Sequence, residues 1–167
     1  MKHVSLTLIL IVMANAVHGA ETASPERLGE IVERGVQVMP FALDKTQHIF
    51  NKTENGGIQQ VIAKDHADSE QIALIRKHLL NLAQHFATGD FSGPQRIHGE
   101  AMPGVKALSM GASKLHFDYS ELANGAQIRF RTKEPDLIAA VHQYFDAQLS
   151  DHGHHAMSDG HMMHHGQ

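Results

Sequence analysis

The fold is decided by residues 114–149, which read KLHFDYSELANGAQIRFRTKEPDLIAAVHQYFDAQL. Apolar and polar residues alternate from Leu115 to Tyr119, as in a half-buried strand. Asn124-Gly125 then supplies the residue pair that a tight hairpin turn prefers, and the alternation resumes after it. Pro135 stands where the first turn of a helix accepts a residue without an N–H group. The stretch therefore predicts a strand, a turn, a second strand and a helix.

The same order of signals occurs once more, 69 positions earlier. Phe50 corresponds to Tyr119, and Asn55-Gly56 corresponds to Asn124-Gly125. The offset holds up to the helix starts and shifts by a few residues within the helices. We therefore predict an α+β domain of two ββα repeats, with a four-stranded antiparallel sheet and two helices on one of its faces.

Local signals define the first repeat and the segment before it. We expect strands over Gln47–Lys52 and Ile58–Ala63, followed by a helix that Asp65 caps. Upstream, Ser24-Pro25 is typical of a helix start and Gly35 of a helix stop, which predicts a short N-terminal helix.

The segment between the repeats, residues 90–104, is rich in Gly and Pro. It predicts a loop, and Pro103 opens a short helix that Gly111 closes. Loops of this length are uncommon unless they pack against the body or carry a function.

Residues 1–20 have the features of a secretory signal peptide. A basic start precedes an apolar run from Val4 to Val17, which is too short for a membrane span of about 20 residues. We place cleavage after Gly19 or Ala20, and the alternative is a retained membrane anchor. The mature protein is expected in the periplasm or outside the cell, without a membrane span. The chain then divides into a signal peptide (1–20), an N-terminal helix and lead-in (21–45), the ββα-ββα domain (46–150) and a disordered His/Met-rich tail (151–167).

Composition narrows the function. The 167 residues carry a net charge of −4 with scattered Lys and Arg, whereas nucleic-acid binding needs a clustered basic face. The chain has no Cys, which excludes disulfides, thiolate metal sites, covalent haem attachment and cysteine nucleophiles. Fifteen His and eight Met remain as soft or borderline metal ligands. This donor set favours transition-metal binding.

Five short motifs stand out in the chain: Met39-Pro40-Phe41, His48-x-Phe50, Arg96-Ile97-His98-Gly99, Met102-Pro103-Gly104 and Ala147-Gln148-Leu149-x-Asp151-His152-Gly153. Together they resemble a group of small exported bacterial proteins, some of which are labelled aspartate carbamoyltransferase. The resemblance covers residues 39–153 and implies a common fold and export. The Ser-Thr-Arg-Thr loop that holds carbamoyl phosphate in the genuine enzyme is not found in this sequence, so no carbamoyl transfer is implied. The motifs single out His48, His98, Met102 and His152.

The C-terminal tail is the most specific chemical signal. Imidazole suits Cu(II), Zn(II) and Ni(II), thioether favours Cu(I), and copper heads the divalent affinity order. Copper is therefore the first expectation, with zinc or nickel after it. The alternative is a disordered polar end with no metal role in the cell. The candidate ligands are His152, His154, His155, Met157, His161, Met162, Met163, His164 and His165.

A second candidate site is His98-x-Glu100-x-Met102. In an extended segment these three side chains would share one side and offer nitrogen, oxygen and sulfur donors to one ion. The alternative is that His98 and Met102 anchor the loop by packing and hydrogen bonds.

A third candidate site consists of His48, His78 and His142. If both helices lie on one face of the sheet, His78 and His142 could face each other and bind a metal or a small anion. The alternative is that each histidine is satisfied by a neighbour, such as Asp146 for His142.

These signals predict an exported transition-metal-binding protein for sequestration, tolerance or delivery, with a metal-delivery protein as a further partner. The alternative is a small-molecule-binding or enzymatic domain that uses the histidine cluster, with the tail incidental. A third hypothesis is an envelope protein that docks a partner through its sheet. No Gly-x-Ser-x-Gly, phosphate-loop or His-Glu-x-x-His motif is present, so no residue is assigned a catalytic role.

Overall fold

The computed structural model describes residues 22–158, with His154 described by its backbone alone. The predicted signal peptide and residues 159–167 of the predicted tail lie outside this range. Within it, no helix combines the length and apolarity needed to cross a membrane. The helices and strands are α1 (Pro25–Val38), β1 (Thr46–Thr53), β2 (Gly56–Ala63), α2 (Ser69–Ala87), α3 (Ser92–His98), α4 (Val105–Met110), β3 (His116–Leu122), β4 (Gly125–Arg131), α5 (Pro135–His152) and β5 (Ala156–Met157).

The strands form one mixed sheet in the order β3-β4-β2-β1-β5. The first four are antiparallel neighbours, and tight two-residue turns join β1 to β2 and β3 to β4. The register aligns Val61 with His48 on one side and with Ala126 on the other, so these side chains share a face. The α+β class and both predicted hairpins are confirmed.

The expectation of a purely antiparallel four-stranded sheet is wrong, because β5 adds a fifth strand. It pairs in parallel with β1 and aligns Ala156 with His48 and Met157 with Ile49. The assignment of residues 151–167 to a disordered tail is therefore wrong for 151–157, which complete α5, a 3-10 turn and β5. A strand of two residues is too short to show the alternation of apolar and polar residues that predicts a strand. It forms because β1 offers it a pairing partner.

Both long helices pack on the same face of the sheet. The ring of Phe130 on β4 contacts Phe86 of α2, with centroids 5.7 Å apart, and Phe145 of α5, with centroids 5.3 Å apart. The helices are exchanged between the repeats: α2 lies mainly over β3 and β4, and α5 lies over β1 and β2. The core therefore forms between the repeats, since each hairpin is covered by the other repeat's helix.

The helix starts follow the expected chemistry with one correction. The Ser24 hydroxyl accepts from the backbone N–H of Arg27, and proline occupies the first turn of both α1 and α5. The predicted Asp65 cap of α2 is wrong. Asp68 caps the helix by accepting from the Gln71 N–H, while Asp65 closes the preceding turn.

The linker between the repeats holds two helices where one was expected. The predicted short helix ends at Gly111 as expected, and α3 occupies part of the predicted loop. Gly99 ends α3 with φ +97°, a conformation that favours glycine. Gly104 has φ +78° and lies so close to α5 that an added Cβ would meet the Ala140 carbonyl oxygen at 2.2 Å. These two glycines bend the linker onto the body and hold the end of α3 against it.

Candidate functional site

A cavity of about 40 Å³ lies between the helix-covered face of the sheet and helices α2, α3 and α5. This volume has room for a few water molecules or one small ligand. Its walls are mainly apolar, and four histidines, two glutamines and one tyrosine interrupt them. Of the three predicted sites, it gathers His48 and His78 with His98 and His152, while Gln59, Tyr144 and Gln148 are further polar residues of its lining.

Among residues 22–158, four buried polar atoms of side chains that line this cavity have no hydrogen-bond partner. They are His48 Nδ1, Gln59 Oε1, His98 Nε2 and Tyr144 Oη. The Tyr144 hydroxyl approaches the Gln148 amide without reaching hydrogen-bond geometry. Each unsatisfied buried group costs about 1–3 kcal/mol, so four around one cavity are a substantial cost to the folded protein. Several such atoms at one cavity are the arrangement expected where a ligand or ordered water supplies the partners.

His98 is held by a carboxylate on one side and is free on the other. Its Nδ1 lies 2.8 Å from Asp151 Oδ2, and its side chain is 1% exposed. An ionised carboxylate only accepts hydrogen bonds, so Nδ1 carries the proton and donates it. In the neutral ring Nε2 is then a bare acceptor, and it is the nitrogen that lacks a partner. A carboxylate that orients an imidazole in this way is typical of histidines that ligate metals or transfer protons.

Asp151 is itself held by Arg27 of α1. The guanidinium donates to Asp151 Oδ1 from Nε at 3.2 Å and to Oδ2 from a terminal nitrogen at 2.7 Å. The same terminal nitrogen lies 2.6 Å from the His98 carbonyl oxygen. Burial raises the pKa of Asp151, but the hydrogen bonds and charges of His98 and Arg27 outweigh it and hold the pKa below its usual value. The carboxylate therefore stays ionised, and α1, α3 and α5 are tied together at one point.

His48 and His152 form the other polar part of the cavity. His48 lies on β1, and its ring stacks on that of His152. The His152 Nε2–H donates to Gln148 Oε1 at 3.1 Å. Burial, with smaller contributions from His78, His155 and His98, lowers the pKa of His48 to about 3. Burial and the charges of His48, His98 and His155 also lower the pKa of His152 well below its usual value. Both rings are neutral at physiological pH.

The predicted tail ligands divide into two sets. His152 is buried in the cavity wall, and Met157 is part of β5. His155 belongs to the 3-10 turn that precedes β5. The side chain of His154 and the whole of His161, Met162, Met163, His164 and His165 lie outside the described residues.

The predicted group His98, Glu100 and Met102 does not converge. Glu100 is exposed, and Met102 is part of the hydrophobic core and lines a different depression from His98. The segment turns at Gly99, so the extended geometry that would align the three side chains does not occur. Met102 packs in the hydrophobic core, and of these three residues only His98 lines the cavity.

His78 and His142 also separate. His78 lines the cavity with its ring edge-on to Phe41, and burial lowers its pKa. His142 lies at the first hairpin, where its Nε2–H points at the carbonyl oxygens of Thr53 and Gly56, 3.0 Å from each. His142 is therefore satisfied by the backbone, and its predicted partner Asp146 pairs with a lysine instead.

Several residues of the site are not predicted from the sequence. Asp151 stands beside His152 in a quoted motif, but nothing in the pattern assigned it to His98, which is 53 positions away. Arg27, Gln59 and Tyr144 carry no local signal at all. Met39 also lines the cavity, whereas the sequence singles it out only as part of the Met39-Pro40-Phe41 motif.

No protein-family model matches the chain, and neither the curated proteins nor the solved structures contain a significant match. The resemblance to small exported bacterial proteins therefore stays a prediction. Within residues 22–158, no group of three or more His, Asp or Glu side chains is arranged to hold a metal ion.

Proposed function

We propose that the protein is exported and binds a transition metal, copper before zinc or nickel, for sequestration, tolerance or delivery. The observation that carries the proposal is the free Nε2 of His98, buried at a cavity and oriented through Nδ1 by Asp151. This is the state in which imidazole ligates a metal, since the lone pair is available and the ring is held in place.

His48 strengthens the proposal because its Nδ1 is a second buried imidazole nitrogen without a partner at the same cavity. The low pKa of His48 keeps the ring neutral, and neutral imidazole needs no deprotonation before it ligates. Apolar walls around the two nitrogens would exclude competing water from the ion.

We further propose that the His/Met-rich residues 159–167 capture ions for the cavity, and the position of β5 supports this. The chain runs beside His48 at Ala156 and then continues toward the His/Met-rich residues 159–167. Ions captured by those donors would be released next to the cavity. Capture should weaken as pH falls through about 6.5, because protonated imidazole cannot ligate.

The proposal is tested on mature protein purified without an affinity tag. Elemental analysis should find copper in preference to zinc and nickel, and His98→Gln should lose the ion that the cavity holds while the tail ions stay. His116→Gln is the matched control, because His116 is exposed on β3 and lies outside every candidate site. If His98→Gln and the control bind the same amount of metal with the same affinity, the cavity has no part in metal binding.

A second function is favoured by a different observation. Gln59 Oε1 and Tyr144 Oη are not typical ligands of soft metals, yet both lie unpartnered at the cavity. Four hydrogen-bonding atoms in an apolar wall suit a small polar molecule, which the domain would bind or convert with the tail incidental. Native mass spectrometry of metal-free protein would then show a bound small molecule that Gln59→Leu loses. Equal masses for the bare chain and the purified protein would contradict this function.

A further inference from the structure

We propose that the cavity selects monovalent copper and holds it with His48, His98 and the thioether of Met39. This inference rests on the proposed metal-binding function and specifies its ion and its third ligand. Met39 follows α1 directly and is 7% exposed, and it lines the same cavity as the two histidines. A donor set of two imidazoles and one thioether differs from the His, Asp and Glu groups that divalent ions use.

The thioether is the first reason for monovalent copper. Methionine sulfur is a soft ligand that favours Cu(I), whereas Zn(II) takes thiolate, imidazole or carboxylate. The chain contains no cysteine, so thioether is its one soft sulfur donor. Met39 therefore gives the cavity a preference for Cu(I) that His48 and His98 alone would not provide.

Charge is the second reason. Among the described residues that line the cavity, none is an Asp, Glu, Lys or Arg. The nearest carboxylate, Asp151, is already shared between His98 and Arg27. The desolvation free energy of a buried ion grows with the square of its charge. It is therefore roughly four times larger for a divalent ion than for a monovalent ion of the same size. The described lining residues offer no carboxylate to offset that difference.

The position of Met39 is held by its contact with α1. Its backbone N–H donates to the Gly35 carbonyl oxygen at 2.7 Å. A Cβ added at Gly35 would lie 2.7 Å from the Met39 Cε methyl, so the end of the Met39 side chain lies across that glycine. Gly35 thus leaves space for the end of the Met39 side chain, although the helix continues past this glycine to Val38.

The test uses the full mature chain with the tail donors 161–165 replaced by serine, so that the cavity is measured alone. Cu(I) is supplied without oxygen against a chromophoric Cu(I) chelator, and Zn(II) and Cu(II) are titrated separately. Loss of the residue that hydrogen-bonds to a metal ligand typically lowers metal affinity roughly 10–100-fold. Met39→Leu removes a ligand itself, so it should weaken Cu(I) binding by at least this factor. It should leave Zn(II) and Cu(II) binding unchanged. Met110→Leu is the matched control, since Met110 is 80% exposed on α4.

X-ray absorption of the Cu(I)-loaded protein gives a second readout that needs no substitution. One sulfur and two nitrogen neighbours are expected, and the sulfur should disappear in Met39→Leu. Copper bound by nitrogen alone, or Zn(II) bound more tightly than Cu(I), would overturn the inference. If His98→Gln abolishes metal binding but Met39→Leu has no effect, the inference fails while the proposed function stands. If neither change alters metal binding, both fail.

Discussion

The buried imidazole rings of His48 and His152 stack face to face, with centroids 4.8 Å apart and planes 8° apart. His48 comes from β1 and His152 from the last turn of α5, so the stack joins the sheet to the helix that precedes β5. His98 meets the edge of His152 with a centroid distance of 5.0 Å. The three rings form a buried polar core beside the aromatic one.

The stack predicts a loss of stability in acid. The unfolded chain protonates His48 and His152 near pH 6.5, whereas in the folded protein burial lowers the pKa of His48 to about 3 and that of His152 well below its usual value. Below about pH 6.5 the unfolded state therefore binds more protons than the folded state, and the free energy of unfolding decreases as the pH is lowered. Each of the two groups contributes a slope of about 1.4 kcal/mol per pH unit at most.

Urea denaturation of metal-free protein between pH 7.5 and 4.5 measures this slope. Full stability is expected above about pH 6.5 and progressive loss below it. The variant His48→Gln should show a shallower slope over the same range. Identical slopes in the two proteins would mean that His48 is already protonated, or exposed to water, in the folded state.

Asp151→Asn is expected to act on stability and on metal binding together. The asparagine cannot neutralise Arg27, whose side chain is 34% exposed and so regains part of its hydration. We expect a loss of about 1–3 kcal/mol in the free energy of unfolding. Metal affinity at the cavity should fall about 10–100-fold, because His98 loses the partner that orients it.

A double-mutant cycle with Arg27→Gln separates these effects. The two substitutions should be less than additive for unfolding, because they remove the same ion pair. The metal affinity should depend mainly on Asp151, which contacts the His98 ring, and less on Arg27. Full additivity would show that the pair has no energetic coupling.

Tyr144→Phe should stabilise the protein or leave its stability unchanged. The tyrosine is fully buried and its hydroxyl has no partner, so removing the oxygen relieves an unsatisfied group. A gain of up to about 1 kcal/mol in ligand-free protein is expected from thermal melts. A loss of more than that would reveal a hydrogen bond to an ordered water, and it would weaken the case for a ligand at this atom.

Two glycines of the linker give a matched pair of backbone tests. In Gly99→Ala the new Cβ meets no atom within 4 Å, so only the backbone strain at φ +97° remains. This strain should lower the free energy of unfolding by about 1–3 kcal/mol. Gly104→Ala should cost more, because the new Cβ would also clash with the Ala140 carbonyl oxygen on α5. Chemical denaturation of both variants checks the order. Equal losses would mean that the linker moves away from α5 without cost.

Truncation distinguishes the body from the tail. A chain stopped after Ser158 keeps every described residue and should melt like the parent. A chain stopped after Ser150 loses the buried Asp151 and His152 together with β5, and should be much less stable. Circular dichroism melts compare the two. A change in metal binding by the shorter chain therefore cannot be assigned to the tail, because the body is also altered. The chain stopped after Ser158 keeps the body and tests the contribution of residues 159–167.

The sequence by itself determined the elements whose signals are local. Alternation and Asn-Gly pairs defined both hairpins, proline and serine defined helix starts, and the 69-residue offset revealed the repeat. Each of these depends on residues a few positions apart, where backbone propensity and hydrogen bonding act directly.

The tertiary structure alone decided the site. His48, His98 and His152 come from β1, α3 and α5, and no periodicity in the chain relates them. Their meeting depends on packing. Each long helix covers the other repeat's hairpin, Gly104 lets the linker approach α5, and Arg27 joins three helices through Asp151. Contacts of this kind are set by the shapes and charges of distant segments, so they appear only when the whole core is assembled.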